Sequence, residues 1–235
     1  MCVKCNSGIL SRRGLLTGGL ALAMAAPSVM RATAASDAAA PVSPDEALQR
    51  LIDGNARYVA NEPINIDHSA GRASRAQGQQ PFAAIVSCAD SRVAPELIFD
   101  QGPGELFIVR VAGNFINEDG LASLEYGAAV LGITTILVLG HTACGAVGAT
   151  ISAVENNTLP PGHLPSLVNA IRPAVYDAMA GKPEDLMAKA TARNAVLNAE
   201  KAQTTGPILG DLYADGKLKA AAGIYDIATG KVNFL

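Results

Sequence analysis

Four short apolar runs, at 82–86, 106–111, 134–139 and 220–227, most constrain how this chain can fold. Each is continuous rather than alternating, the pattern of strands buried on both faces. Helical patterns lie between them. Leu121, Leu124, Ala128 and Leu131 recur at helical spacing, and further patterns cover about 145–155, 164–180, 183–204 and 207–215. Strand and helix alternate, so the expected fold is α/β, with a mostly parallel central sheet flanked by helices. Aromatic residues are only 4% and Trp is absent, which leaves Ala, Val, Ile and Leu to fill the core.

The first 44 residues differ in kind. Ser11-Arg12-Arg13-Gly14-Leu15-Leu16 sets a twin arginine before an apolar stretch that runs to about Ala26. That stretch is shorter than the roughly 20 residues a membrane-spanning helix needs. It has the length and basic flank of a signal-peptide core, and small-residue cleavage sites follow at Ala32-Thr33-Ala34 and Thr33-Ala34-Ala35. SRRGLL resembles a twin-arginine export signal. The expected organisation is a signal peptide over 1–35, a linker over 36–44 and one domain over 45–235. Export to a bacterial periplasm follows from this reading, with no membrane anchor after cleavage. Cys2 and Cys5 form a lone C-x-x-C that would leave with the signal, so the mature chain keeps Cys88 and Cys144. The net charge of -3 comes without any basic stripe, which argues against a nucleic-acid partner.

At Ser43-Pro44-Asp45-Glu46 a helix should begin. Ser43 can cap it, Pro44 suits the first turn and the two acids favour the positive helix end. Ala47, Leu48, Leu51, Ile52 and Tyr58 then give it an apolar stripe.

Two of the apolar runs end in chemistry. The first is followed by Ser87-Cys88-Ala89-Asp90-Ser91-Arg92, and the third by His141-Thr142-Ala143-Cys144-Gly145. Sites in open parallel sheets form beyond the carboxyl ends of the strands. If these two strands are neighbours, Cys88, His141 and Cys144 converge. Two thiolates and one imidazole select zinc over magnesium or calcium, and three protein ligands leave a fourth tetrahedral position open, as in catalytic sites. Zinc lowers the pKa of a bound water from ~15.7 to near ~7.

CADSR followed by HTACG resembles the beta-class carbonic anhydrases, and the likeness runs from about Leu48 to the C-terminus. Arg110-Val111-Ala112-Gly113-Asn114 resembles that family's segment after the second strand, and Glu125-Tyr126 the pair on the next helix. The resemblance implies reversible hydration of carbon dioxide to bicarbonate, with one Zn2+ per chain on Cys88, His141 and Cys144. Asp90 is implied as an acceptor for the zinc-bound water, or as a fourth zinc ligand in a closed form. Arg92 is implied to hold Asp90 through a two-pronged ion pair. Gln79, Phe107 and Tyr126 match the pocket of the plant-like subgroup, and Ala112 and Val86 add apolar surface. The family's other subgroup has a bicarbonate-regulation site containing Trp, which this chain lacks. The resemblance also implies a homodimer or dimer of dimers, with the N-terminal helix as a dimerisation arm and pocket residues shared between subunits. His68 and His163 read as surface residues, and no residue stands out for proton exit.

Two other functions fit the same residues. Relatives of this family hydrolyse carbonyl sulfide or carbon disulfide with the same ligands. An exported chain with Cys88 and Cys144 joined as a disulfide would be a redox or binding module instead.

Overall fold

The computed structural model describes residues 42–69 and 71–235. The expected signal peptide, most of the linker and Cys2-x-x-Cys5 lie outside the described residues. The elements run α1 Pro44–Ala60, α2 Arg72–Arg75, β1 Ala83–Ser87, α3 Pro95–Ile98, β2 Leu106–Arg110 and α4 Glu118–Ala129. There follow β3 Thr135–His141, α5 Gly145–Glu155, α6 Leu164–Ala180, α7 Leu186–Thr204, α8 Ile208–Ala214, β4 Lys219–Tyr225 and β5 Val232–Phe234. Among the described residues no helix is long and apolar enough to cross a membrane.

The sheet has the order β2-β1-β3-β4-β5. The first four strands are parallel, and β5 returns antiparallel to β4. The continuous apolar runs have their physical reason here, because successive side chains enter two different cores. Ala84, Val86, Ile136, Val138, Ala220 and Ala222 pack on one face with Leu124 of α4 and Ala195 and Ala199 of α7. Ala83, Ile85, Leu137, Leu139 and Tyr225 pack on the other with Ala47 and Leu51 of α1 and Ile98 of α3. A third cluster at the carboxyl end of the sheet joins Cys88 and Cys144 to Val147 of α5 and Ile171 and Val175 of α6.

Helix α1 starts as its sequence dictates: the Ser43 hydroxyl accepts from the Glu46 amide at 3.2 Å, and Pro44 opens the first turn. Its stripe does not project as a free arm. Ala47, Leu51, Gly54 and Asn55 are buried against the chain's own sheet, which leaves Ile52, Ala56 and Val59 as the apolar strip open to a partner. Three elements went unread in the sequence: the one-turn helices α2 and α3, and β5. Each has four residues or fewer, too short for periodicity to show. The α1 residue Asn55 fixes β5 instead. It donates to the carbonyls of Ile98 and Gly230 at 3.1 and 2.9 Å and accepts from the Val232 amide at 2.8 Å.

Candidate metal centre

Strands β1 and β3 are direct neighbours, with Ser87 opposite Leu139. Cys88 therefore leaves the sheet beside His141, the last residue of β3. The turn between His141 and Cys144 is tight. Ala143 takes the left-handed conformation at φ 55°, uncommon for a residue with a Cβ, and this turns the chain so that Cys144 caps α5 next to His141. The Thr142 amide donates to the Tyr225 carbonyl at 3.0 Å, and its hydroxyl accepts from Ile227, so the turn is tied to β4 and the loop beyond it.

Cys88, His141 and Cys144 are all buried, and their ligating atoms lie within 4.8 Å of one another. His141 is oriented by its neighbour: Nδ1 donates to the Thr142 carbonyl at 2.9 Å, which leaves the lone pair on Nε2. That Nε2 is buried without a hydrogen-bond partner. A buried polar atom without a partner is costly and calls for an explanation. Two thiols and one oriented imidazole nitrogen make a donor set that fits zinc.

The two thiols of the cluster differ in acidity. A hydrogen bond from Cys144 draws the Cys88 thiol down to about 4 against the opposing effect of burial, with help from His141 and the Gly113 amide. The same bond, together with burial, pushes Cys144 up. Burial works against charge on His141, yet Cys88, the Thr142 carbonyl and the nearby negative charge of Asp90 outweigh it and hold His141 above its ordinary value.

Asp90 stands at the open side. Its Oδ2 lies 3.9 Å from His141 Nε2. Arg92 grips it in the two-pronged manner, Nε to Oδ1 at 2.9 Å and Nη2 to Oδ2 at 2.7 Å, and adds its backbone N–H at 3.0 Å. These bonds hold the Asp90 carboxyl well below the usual carboxylate range. In this arrangement the carboxylate is on Arg92.

The remaining expected residues lie elsewhere in the chain. Ala112 is half-buried beside Gly113. Val86 is enclosed in the sheet core. Phe107 and Tyr126 do meet, with ring centroids 6.5 Å apart. Phe107, however, pairs with Ala84, four residues before Cys88, which is roughly 13 Å along the strand. Tyr126 is 49% exposed on α4. Gln79 precedes β1, at the end of the strand opposite Cys88, in an open cavity of about 580 Å³ beside Arg75, Pro103 and Glu105. One chain thus assembles Cys88, His141 and Cys144 with Asp90 and Arg92, but not Gln79, Phe107 and Tyr126 with them. His68 and His163 are both exposed.

Three supports of the site had no assigned role in the sequence. Arg110 donates to the carbonyls of Cys88 and Asp90 at 3.0 and 2.7 Å and so holds the loop after β1. The Gly113 N–H donates to Cys88 Sγ at 3.3 Å. Gly113 occupies φ 87°, the third position of a turn closed by the Asn114 amide on the Val111 carbonyl, and a Cβ there would come 2.5 Å from Ile171 Cδ1. The third is Thr142, through its carbonyl. Arg110 and Gly113 belong to RVAGN, so the motif itself was the signal.

A parallel α/β sheet with a buried Cys-His-Cys group at its carboxyl end defines a metalloprotein with a donor set suited to catalytic zinc. The sequence profile of the carbonic anhydrase family matches residues 83–232. The chain is 36% identical to a carbonic anhydrase of Mycolicibacterium smegmatis over 199 residues, 79% of this chain and 97% of that protein. It is 46% identical to carbonic anhydrase 2 of Mycobacterium tuberculosis over 137 residues, 57% of this chain. There it spans just under two thirds of the relative, 65% of its length. Among solved structures, the beta-carbonic anhydrase CcaA superposes with a TM-score of 0.60 at 29% identity, covering 80% of this chain and 98% of that one. The chain belongs to the beta-class carbonic anhydrase family.

Proposed function

We propose that this protein is a zinc enzyme that hydrates carbon dioxide reversibly to bicarbonate and a proton. The observation that carries the reading is His141 Nε2, buried and unpartnered on a residue whose ligating atom lies within 4.8 Å of two thiols. Cys88, His141 and Cys144 would hold the metal. Zinc, when bound, supplies the Lewis acidity that makes water nucleophilic near neutral pH. The chain's own groups do the rest. The Thr142 carbonyl fixes the imidazole tautomer, and Gly113 donates to the Cys88 sulfur. Asp90, ionised and turned toward Arg92, is an acceptor at the mouth of the site that can orient a water for attack. The fully buried surroundings of the three ligands exclude bulk water from their far side.

The test is zinc content beside hydration rate. The parent should carry close to one zinc per chain and hydrate carbon dioxide. Cys144→Ser should lose most of the metal and fall to background rate. Full zinc retention in Cys144→Ser would overturn the assignment.

The finer reading is the plant-like subgroup, with Gln79, Phe107, Ala112 and Tyr126 as its pocket. Since Gln79, Phe107 and Tyr126 lie away from the trio in one chain, this reading requires a homodimer or dimer of dimers in which a neighbouring copy brings them in. We also propose export through the twin arginine to a periplasm. Replacing both Arg12 and Arg13 by Lys keeps the charge and should leave the chain unprocessed in the cytoplasm; normal processing would point to a general secretory route.

A further inference from the structure

Helix α7 carries three buried polar residues on a face otherwise made of alanine; Thr191 bonds back to its own helix at the Met187 carbonyl, and the two asparagines do not stop there. Asn194 and Asn198 are 1% and 8% exposed, among buried Ala190, Ala195, Ala199 and Ala202. Asn is a weaker helix former than Ala, and burying an amide is costly unless its hydrogen bonds are made. Here they are made, two of them to one segment and two from Asn198 back to Asn194, whose Oδ1 lies 3.4 Å from Asn198 Nδ2. Asn194 Nδ2 donates to the Gly113 carbonyl at 2.8 Å. Asn198 Oδ1 accepts from the Ile116 amide at 2.8 Å, and its Nδ2 donates back to the Asn194 carbonyl at 2.8 Å. One turn further, Lys201 Nζ donates to the Ile116 carbonyl at 2.8 Å. Residues four and three apart on one helix thus grip the backbone of 113–116.

That segment packs against the site through Phe115, which shares the buried cluster of Cys88 and Cys144, and its hydrogen bond to the site is made by the Gly113 N–H, which donates to Cys88 Sγ. Gly113 is the place where conformation is least fixed by its own side chain, since it has none. Asn194 takes hold of the same residue from the other side, by its carbonyl. We infer that Asn194 is a positioning residue for the Cys88 sulfur, acting through Gly113. Hydrogen bonds to a metal-bound thiolate draw charge off the sulfur and fix its direction, and supporting groups of this kind typically alter metal affinity 10–100-fold when removed. Asn198 grips one turn away, at Ile116, and does not touch the residue that meets the sulfur. The inference rests on the zinc reading above.

The test compares Asn194→Ala, Asn194→Leu and Asn198→Ala with the full parent chain. Two readouts belong to the metal: the rate of zinc release to a chromogenic chelator, and the thiolate-to-cobalt charge-transfer band after cobalt exchange. Thermal melting reports the fold. Asn194→Leu keeps the number and branching of the side-chain heavy atoms, so a packed variant lacking the amide is available even where the alanine variant fails to fold. The expected result is zinc release roughly 10–100-fold faster in the Asn194 variants, with a displaced cobalt band. Asn198→Ala should lose comparable thermal stability while both metal readouts stay within about twofold of the parent. A folded Asn194→Leu protein with parental release and an unmoved band overturns the inference and leaves the zinc reading intact. A parent that shows no thiolate band with cobalt overturns both.

Discussion

The buried polar cluster around Asp100 and the one around His141 differ in one respect. Around Asp100, every acceptor is taken. Its carboxylate is 1% exposed and accepts from Arg57 Nε at 2.5 Å and from the amides of Ile64 and Asn65 at 3.1 and 3.0 Å. Around His141, Nδ1 is taken and Nε2 is not. Both clusters bear the cost of burying polar atoms, and only one is closed within the protein. The closed cluster ties the segment after α1 to the loop after α3, which is a structural task. The open one keeps a lone pair for something else. The difference teaches that a buried charge by itself marks nothing, whereas a buried, oriented and unpartnered nitrogen grouped with two thiols is what a metal site requires.

Breaking the closed cluster should cost stability and nothing more. Asp100→Ala leaves a guanidinium beside buried backbone amides without their acceptor. Arg57 is 29% exposed and can turn to water, so the expected loss is about 3 kcal/mol, the low end for a broken buried pair. Denaturant titration measures it. Zinc content and hydration rate of the folded variant should match the parent, and a loss of zinc would contradict the separation of the two clusters. Breaking the open cluster at its rim should do the reverse. Arg92 is 52% exposed, so Arg92→Ala should leave stability almost unchanged, as is usual for surface pairs. Its zinc should remain, while hydration falls roughly 10–100-fold because Asp90 is no longer held. A parental rate would reduce the pair to a structural salt bridge.

The smallest effect is the acid dependence of the closed cluster. Burial raises the Asp100 carboxyl, but Arg57 and the amides of Asn65 and Ile64 outweigh it and hold it below its ordinary 3.8. A carboxyl that is lower in the folded state stabilises the fold fully above its unfolded value. That contribution is lost as the pH falls from there through the lowered folded value. Asp100→Asn should therefore flatten the part of the stability curve below pH 3.8 and leave its slope at neutral pH unchanged. An unchanged acid limb would show that Asp100 does not contribute to it.

The sheet, its parallel strands and the Cys88-His141-Cys144 group were legible in the sequence because each rests on local pattern. Runs buried on both faces are continuous, and a ligand placed at the end of such a run is carried to the carboxyl edge of the sheet. The adjacency of β1 and β3 was a condition in that reading and became an observation only in the fold. Asn194 and Asn198 were not legible as supports. They sit 81 and 82 residues from Gly113 and Ile116, and no local signal links a helix asparagine to a distant backbone carbonyl. The stripe of α1 was legible as a stripe but not by destination: periodicity states that a face is apolar, not which sheet covers it. Gln79 and Phe107 illustrate the same limit, since a motif match carries a residue's identity and not its distance from Cys88.

The central claim is that Cys88, His141 and Cys144 form the metal centre, with His141 Nε2 as the imidazole donor. X-ray absorption at the zinc edge of the purified protein tests this most directly. The account predicts two sulfur scatterers at ~2.3 Å and one imidazole nitrogen at ~2.0–2.1 Å, with the fourth position filled by a light atom. A first shell of oxygen alone, or of three or more sulfurs, would contradict it.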